Sequence, residues 1–172
     1  RFWQPLAGWM GHAAPFEFTP NYRPAPGIAR YLCGTPPVIS MAALECGVDT
    51  VLAAEPLGGM PALRRKSLAL SRLFASEVQD RCPALTLVSP TEDAQRGSQA
   101  CFAHAGMGYP VMQALISRGV IGDFRAPDIL RFGFTPLYTR YADAFDAAVH
   151  LQQVIESGEW QRPEFNQRQA VT

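Results

Sequence analysis

The chain has 172 residues, 48% hydrophobic and 17% charged, which is ample material for the core of one ordinary domain or two small ones and argues against disorder. Fifteen basic residues balance fifteen acidic ones, so no basic field exists to attract nucleic acid. No apolar run is long enough to span a bilayer, no signal-peptide pattern opens the chain, and Cys33, Cys46, Cys82 and Cys101 lack paired metal-ligand spacing, as suits free thiols in a reducing cytoplasm.

Residues 1–37 carry seven of the fifteen prolines and no sustained periodicity, the mark of a long functional or packed loop. "PVISMAALECG" then reads as a helix, with proline in its first turn and Gly47 as its stop. "EPLGGMP" at 55–61 is the strongest punctuation and the expected boundary, dividing 1–55 from 56–172. Pro61 opens a second helix whose Leu63, Leu70, Phe74 and Val78 share one face. "ALTLV" at 84–88 and "GSQACFAH" at 97–104 read as strands. Tyr109, Met112 and Ile116 stripe a helix closed by Gly119. "VIGDF" and "ILRFGF" are two further short strands about a turn. Tyr141, Phe145, Ala148, Leu151 and Ile155 stripe the last helix, ended by Gly158. Helix, strands, helix, strands, helix is an α+β or α/β pattern.

Several residues stand out against that background. Arg131 interrupts "DILRFGFTPLY", where Ile129, Leu130, Phe132 and Phe134 read as core. An unpaired buried guanidinium costs several kcal/mol, so it must meet an anion, either a structural carboxylate or a ligand's. "GWMGH" at 8–12 sets Trp9 and His12 between glycines that admit a ligand to the backbone, or else simply packs a loop tryptophan. In "RYLCGTPP" at 30–37, Thr35 before a helix start suits either a phosphate or an N-cap. Lys66, the sole lysine beside fourteen arginines, reads as part of a solvated helix face. Cys101 reads as a small core residue, and "RGSQ" as a strand-entry turn. His12, His104 and His150 show no metal-binding spacing.

Taken together and in order, "GWMGH", "GIARYLCGTPPV", "LRRKSLAL", "RGSQ", "RGVIGDFRAPDILRFGFTPLYTRY" and "AVT" resemble the C-terminal part of the bacterial kynureninases, within the wider class V aminotransferase group. The resemblance implies an α/β fold: the end of the large domain of a fold-type-I pyridoxal phosphate enzyme (1–55) and a small α+β C-terminal domain (56–172). It implies a homodimeric hydrolase that converts L-kynurenine, or 3-hydroxykynurenine, to anthranilate or its 3-hydroxy form and L-alanine, in tryptophan breakdown and NAD biosynthesis. Trp9 and Thr35 would bind the phosphate of pyridoxal 5'-phosphate across the dimer, Arg131 would bind the substrate α-carboxylate, and Met10 (often phenylalanine in the family) and Gly34 would line the substrate site. The lysine that carries the cofactor has no counterpart here, and Lys66 lies in the wrong domain to replace it. The chain, which starts without methionine, is therefore expected to be a C-terminal fragment with no catalytic residue of its own and no activity alone. Competing expectations are another fold-type-I enzyme such as a cysteine desulfurase, which needs a cysteine on an exposed loop, and a non-catalytic module. Neither nucleic acid, membrane nor metal is expected as a partner.

Overall fold

A computed structural model describes residues 5–167. Contacts divide the chain into two compact units, 1–52 and 53–172.

The first unit is mostly loop, as its prolines require. Three short 3-10 turns, Trp9–Gly11, Pro15–Glu17 and Gly27–Tyr31, precede helix α1, Val38–Leu52. The loop is closed on itself by backbone hydrogen bonds, from the Ala13 N–H to the Arg23 carbonyl at 2.7 Å and from the Ala25 N–H to the Gly11 carbonyl at 2.8 Å. Gly8 and Gly11 make a second closure possible. A Cβ on Gly8 would lie 1.6 Å from the Cys33 carbonyl oxygen, and one on Gly11 would lie 2.7 Å from the Arg30 carbonyl oxygen. The space beside these glycines is thus filled by the chain's own backbone, not kept for a ligand. Helix α1 runs through Gly47 instead of stopping there. Glycine inside a helix costs only about 1 kcal/mol against alanine, and the apolar run continues through Val48, Val51 and Leu52. None of the α1 residues is buried.

The second unit is a two-layer α+β structure. Its elements in order are α2 (Gly59–Arg81), β1 (Thr86–Leu87), β2 (Gln99–Ala103), α3 (Gly108–Ser117), β3 (Asp123–Arg125), β4 (Ile129–Gly133), α4 (Tyr141–Ser157) and the single turn α5 (Pro163–Asn166). The sheet is wholly antiparallel, in the order β1-β2-β4-β3. Side chains alternate across a strand, so one face carries Ala100, Phe102, Phe124, Leu130 and Phe132, all buried. That face meets Leu70, Phe74 and Val78 of α2, Met112 and Leu115 of α3, and Ala148, Leu151 and Val154 of α4 in one core. Phe74 is its hub, with ring centroids 4.7 Å from Phe132, 5.1 Å from Phe134 and 6.0 Å from Phe102. Each such side chain contributes roughly 1.5–3 kcal/mol through burial.

Some stripe residues fall off the core. Leu63 and Ile116 are half-buried, and Tyr141 and Phe145 are exposed while Ala144 and Val154 take the buried positions. A helix face is wide enough that its stripe can be shifted by one residue, and the Arg81 guanidinium lies 5.1 Å from the centroid of Phe145, a contact an aromatic ring makes at the surface. Gly119 and Gly158 end α3 and α4 with φ of +82° and +68°, the left-handed conformation that glycine adopts without strain. Asp143 accepts from the Arg140 N–H at 2.7 Å and caps the start of α4. Lys66 is half-buried and donates to the Pro136 carbonyl at 2.7 Å, so it ties α2 to the segment after β4 and is not simply solvated.

Arg118, just past α3, grips Glu159 through Nε to Oε1 at 2.5 Å and Nη2 to Oε2 at 2.8 Å. That hydrogen bonding, reinforced by the Arg118 charge, holds the Glu159 carboxyl below its ordinary range. The stability so gained is complete above the ordinary glutamate pKa and is lost as pH falls through the lower folded value. Glu159→Gln is expected to cost about 1–2 kcal/mol at pH 7 and clearly less at pH 3, read by urea unfolding at each pH; an equal cost at both would contradict the linkage. In the first unit, Gly8→Ala is expected to break the approach to Cys33, so that limited proteolysis cuts within 5–37 much faster. Gly34→Ala, where a Cβ meets nothing within 4 Å, should leave the cutting rate unchanged.

Candidate functional site

The face of the sheet opposite the core is the candidate site in the second unit. Gln99, Cys101, Ala103, Asp123, Arg125, Ile129, Arg131 and Gly133 alternate with the core residues on their strands, and none of them is buried. Arg131 is therefore not a core residue. It sits on β4 directly opposite Cys101 of β2 on one side and Asp123 of β3 on the other, with 27% of its side chain exposed. Its Nη2 donates to Asp123 Oδ2, so a carboxylate within the fold is one anion it meets. Arg125 Nη1 donates to the other oxygen, Asp123 Oδ1, at 3.1 Å. The hydrogen bond from Arg131, with the charges of Arg131 and Arg125, holds the Asp123 carboxyl below the usual carboxylate range.

One carboxylate between two guanidiniums leaves one positive charge in excess. Arg131 makes no other side-chain hydrogen bond among the described residues, and its Nε is buried without a partner. The chemistry this face offers is capture of an anion by a half-desolvated guanidinium. Asp123 and Arg125 were not singled out by the sequence reading. The signal was available: "VIGDF" and "ILRFGF" joined by a short turn form an antiparallel pair, and alternation then sets Asp123 on the side of Arg131. Cys101, expected in the core, faces outward for the same reason, because the buried places on β2 belong to Ala100 and Phe102.

"RGSQ" does support structure. Arg96 is almost wholly buried, donating from Nη1 to Ser71 Oγ at 2.5 Å and from Nη2 to Asp93 Oδ1 at 2.8 Å. It locks the approach to β2 onto α2, while Gln99 lies on the open face.

In the first unit the closure of Gly8 on Cys33 draws "GWMGH" and "LCGT" together. Trp9 is half-exposed and stacks edge-on against Phe16 at 5.8 Å; Met10 and Gly34 are half-buried and Thr35 is exposed. The buried side chain of the motif is that of His12. Its Nδ1 accepts from the Ala14 N–H at 2.9 Å and its Nε2 lies 3.2 Å from the Asn21 carbonyl, an arrangement that a neutral ring satisfies at both nitrogens. A recess of about 300 Å³ opens beside Trp9, His12, Phe18 and Tyr22. Thr35 is not the N-cap of α1: the helix starts at Val38, and the Pro37 carbonyl takes the Met41 N–H at 2.9 Å. Neither the Trp9 indole nor the Thr35 hydroxyl makes a hydrogen bond among the described residues. Both side chains are exposed, so each can meet solvent or a ligand. Among the described residues no three His, Cys, Asp or Glu side chains gather to hold a metal, and no helix is long and apolar enough to cross a membrane.

These features can be set beside known proteins. The family model described as "Kynureninase C-terminal domain" matches residues 63–151, which runs from near the start of α2 through most of α4 and includes Asp123 and Arg131. Proteins named kynureninase from Burkholderia mallei and Burkholderia pseudomallei are 54% identical over 173 residues, 99% of this chain. One from Pseudomonas fluorescens is 51% identical over 171 residues, 98% of this chain. In each case the chain spans 40% of the relative's length. With more than half of its residues matched by the model and nearly its whole length aligned to these relatives, the chain belongs to the kynureninase C-terminal domain family.

Proposed function

We propose that this chain is the C-terminal portion of a pyridoxal-phosphate-dependent kynureninase, and that it supplies the substrate-carboxylate site while the rest of the active site lies in the remaining part of such a protein. The observation that carries the reading is Arg131, a half-buried guanidinium on an open sheet face, where Asp123 shared with Arg125 leaves one positive charge in excess. Its ligand would be the α-carboxylate of L-kynurenine. A planar fork fixes a carboxylate in two directions at once, which a lysine at the same place would not do. Fixing the reacting molecule in this way contributes part of the barrier lowering that orientation supplies.

In the first unit, the Trp9 N–H and the Thr35 hydroxyl would hold the cofactor phosphate, with Met10 and Gly34 beside the substrate. Met10 is flexible and apolar enough to fill a place that an aromatic ring takes elsewhere. Pyridoxal phosphate, when bound, supplies an electron sink, so that the α-proton can leave and the bond between Cβ and the γ-carbonyl carbon can break after water adds there, giving anthranilate and L-alanine. This chain's residues bind and orient. The single lysine, Lys66 on α2, is engaged with the Pro136 carbonyl after β4 and would not carry the cofactor. Residues 1–55 would belong to the large domain, with exposed Val38, Ile39, Met41, Leu44 and Val48 of α1 covered by the rest of the polypeptide in a cytoplasmic homodimer. Residues 56–172 would form the small domain. A cysteine desulfurase is not favoured: Cys101 lies within a strand, and although Cys33 is exposed on a loop, the matching family model and relatives are kynureninases.

The test is to join these 172 residues to the part of the Pseudomonas fluorescens relative that they do not match. The joined polypeptide, given pyridoxal phosphate, should release anthranilate from L-kynurenine, and the 172-residue chain alone should release none. In the joined polypeptide Arg131→Met should lower kcat/KM at least about 100-fold, as loss of a charge-assisted pair of hydrogen bonds implies. Release unaffected by Arg131→Met would refute the assignment.

A further inference from the structure

We propose that Asp123 is a positioning residue for Arg131: it clamps one corner of the guanidinium from the neighbouring strand and leaves the remainder to take the substrate carboxylate. The identity of that ligand rests on the reading above; the clamp rests on geometry.

The clamp is built by strand register. Asp123 lies directly opposite Arg131, and β3 can lie against β4 and α3 here because the preceding residue is Gly122. A Cβ there would sit 2.7 Å from Met112 Cε and 3.0 Å from the Arg131 carbonyl oxygen. Asp123 is itself held, since its second oxygen takes Arg125 Nη1. It therefore cannot swing away without losing one partner, and Arg131 inherits that fixity.

Two considerations decide between a structural pair and a positioning one. About a third of each side chain is exposed, and pairs of that kind add little to stability. By contrast, a free arginine gives up much of its rotamer freedom when a ligand immobilises it. Clamping the guanidinium beforehand removes most of that cost from binding. The charge balance allows it. With Arg125 present, Asp123 does not neutralise the site, and one positive charge remains for the incoming carboxylate.

The direct test titrates the 172-residue chain with L-alanine, the smallest molecule carrying the proposed carboxylate, and follows the Arg131 guanidinium resonances. Asp123→Asn should weaken binding about tenfold, the lower end of what losing an orienting partner costs, while Asp123→Glu, which keeps the charge, should restore most of it. In the joined polypeptide, Asp123→Asn should raise KM for L-kynurenine about tenfold with kcat within about twofold. Unchanged or tighter binding by Asp123→Asn would overturn the proposal, showing that Asp123 is neutral or a competitor for Arg131. So would failure of the wild-type Arg131 to respond to alanine, or a fall in kcat with KM unchanged. Should Asp123→Asn not fold, Asp123→Glu decides, because a loss of binding with the charge retained would contradict the clamp. If the joined wild-type polypeptide makes no anthranilate, the functional reading fails, and the alanine titration still settles the role of Asp123.

Discussion

The two-residue period of strand β4 governs what the second unit can do. Leu130 and Phe132 must point one way and Ile129, Arg131 and Gly133 the other. Helices α2, α3 and α4 cover only the first side, so the sheet is a one-faced platform. The apolar side is closed by Phe74 and its neighbours. The polar side carries a guanidinium in a position that is rigid because the residues on either side of it in the chain are locked in the core. A slip of one residue in register would bury Arg131 and expose Phe132, so the same packing that stabilises the unit also aims the arginine.

Functional geometry in the first unit comes from a different source. There is little core, and the loop is shaped by close backbone approach at Gly8 and Gly11 and by a histidine satisfied at both nitrogens. Among the described residues, the Trp9 indole and the Thr35 hydroxyl are two exposed donors that this packing does not use. Anionic groups at both ends of the bound molecules, a phosphate and a carboxylate, are what the proposed chemistry presents.

Much of the second unit was legible because its signals are local. The spacing of Leu70, Phe74 and Val78, the strand-like runs, and the glycines at 119 and 158 each state a conformation without reference to distant residues. What was hidden depended on pairing. Cys101 looked like core until β2 was placed beside β4, and Asp123 acquired meaning only when opposite Arg131. Gly47 looked like a helix stop, but its cost in a helix is small enough for neighbouring residues to override. Gly8 and Gly11 looked like room for a ligand, whereas the occupant is the backbone of residues 30–33, brought near by a loop whose path no periodicity reveals. The recognition of Trp9, Thr35 and Arg131 as a set came from motif order, not from physics alone; the structure adds only that Trp9 and Thr35 are exposed and that Arg131 lies on the open face of the sheet.

The central claim is that Arg131, steadied by Asp123, receives the substrate carboxylate. The most direct measurement is a crystal structure of the joined polypeptide with L-alanine bound. The account predicts the alanine carboxylate within hydrogen-bond reach of the Arg131 guanidinium, with Asp123 still on Nη2. A carboxylate bound elsewhere, with Arg131 paired to Asp123 alone, would contradict it and return this arginine to a purely structural role.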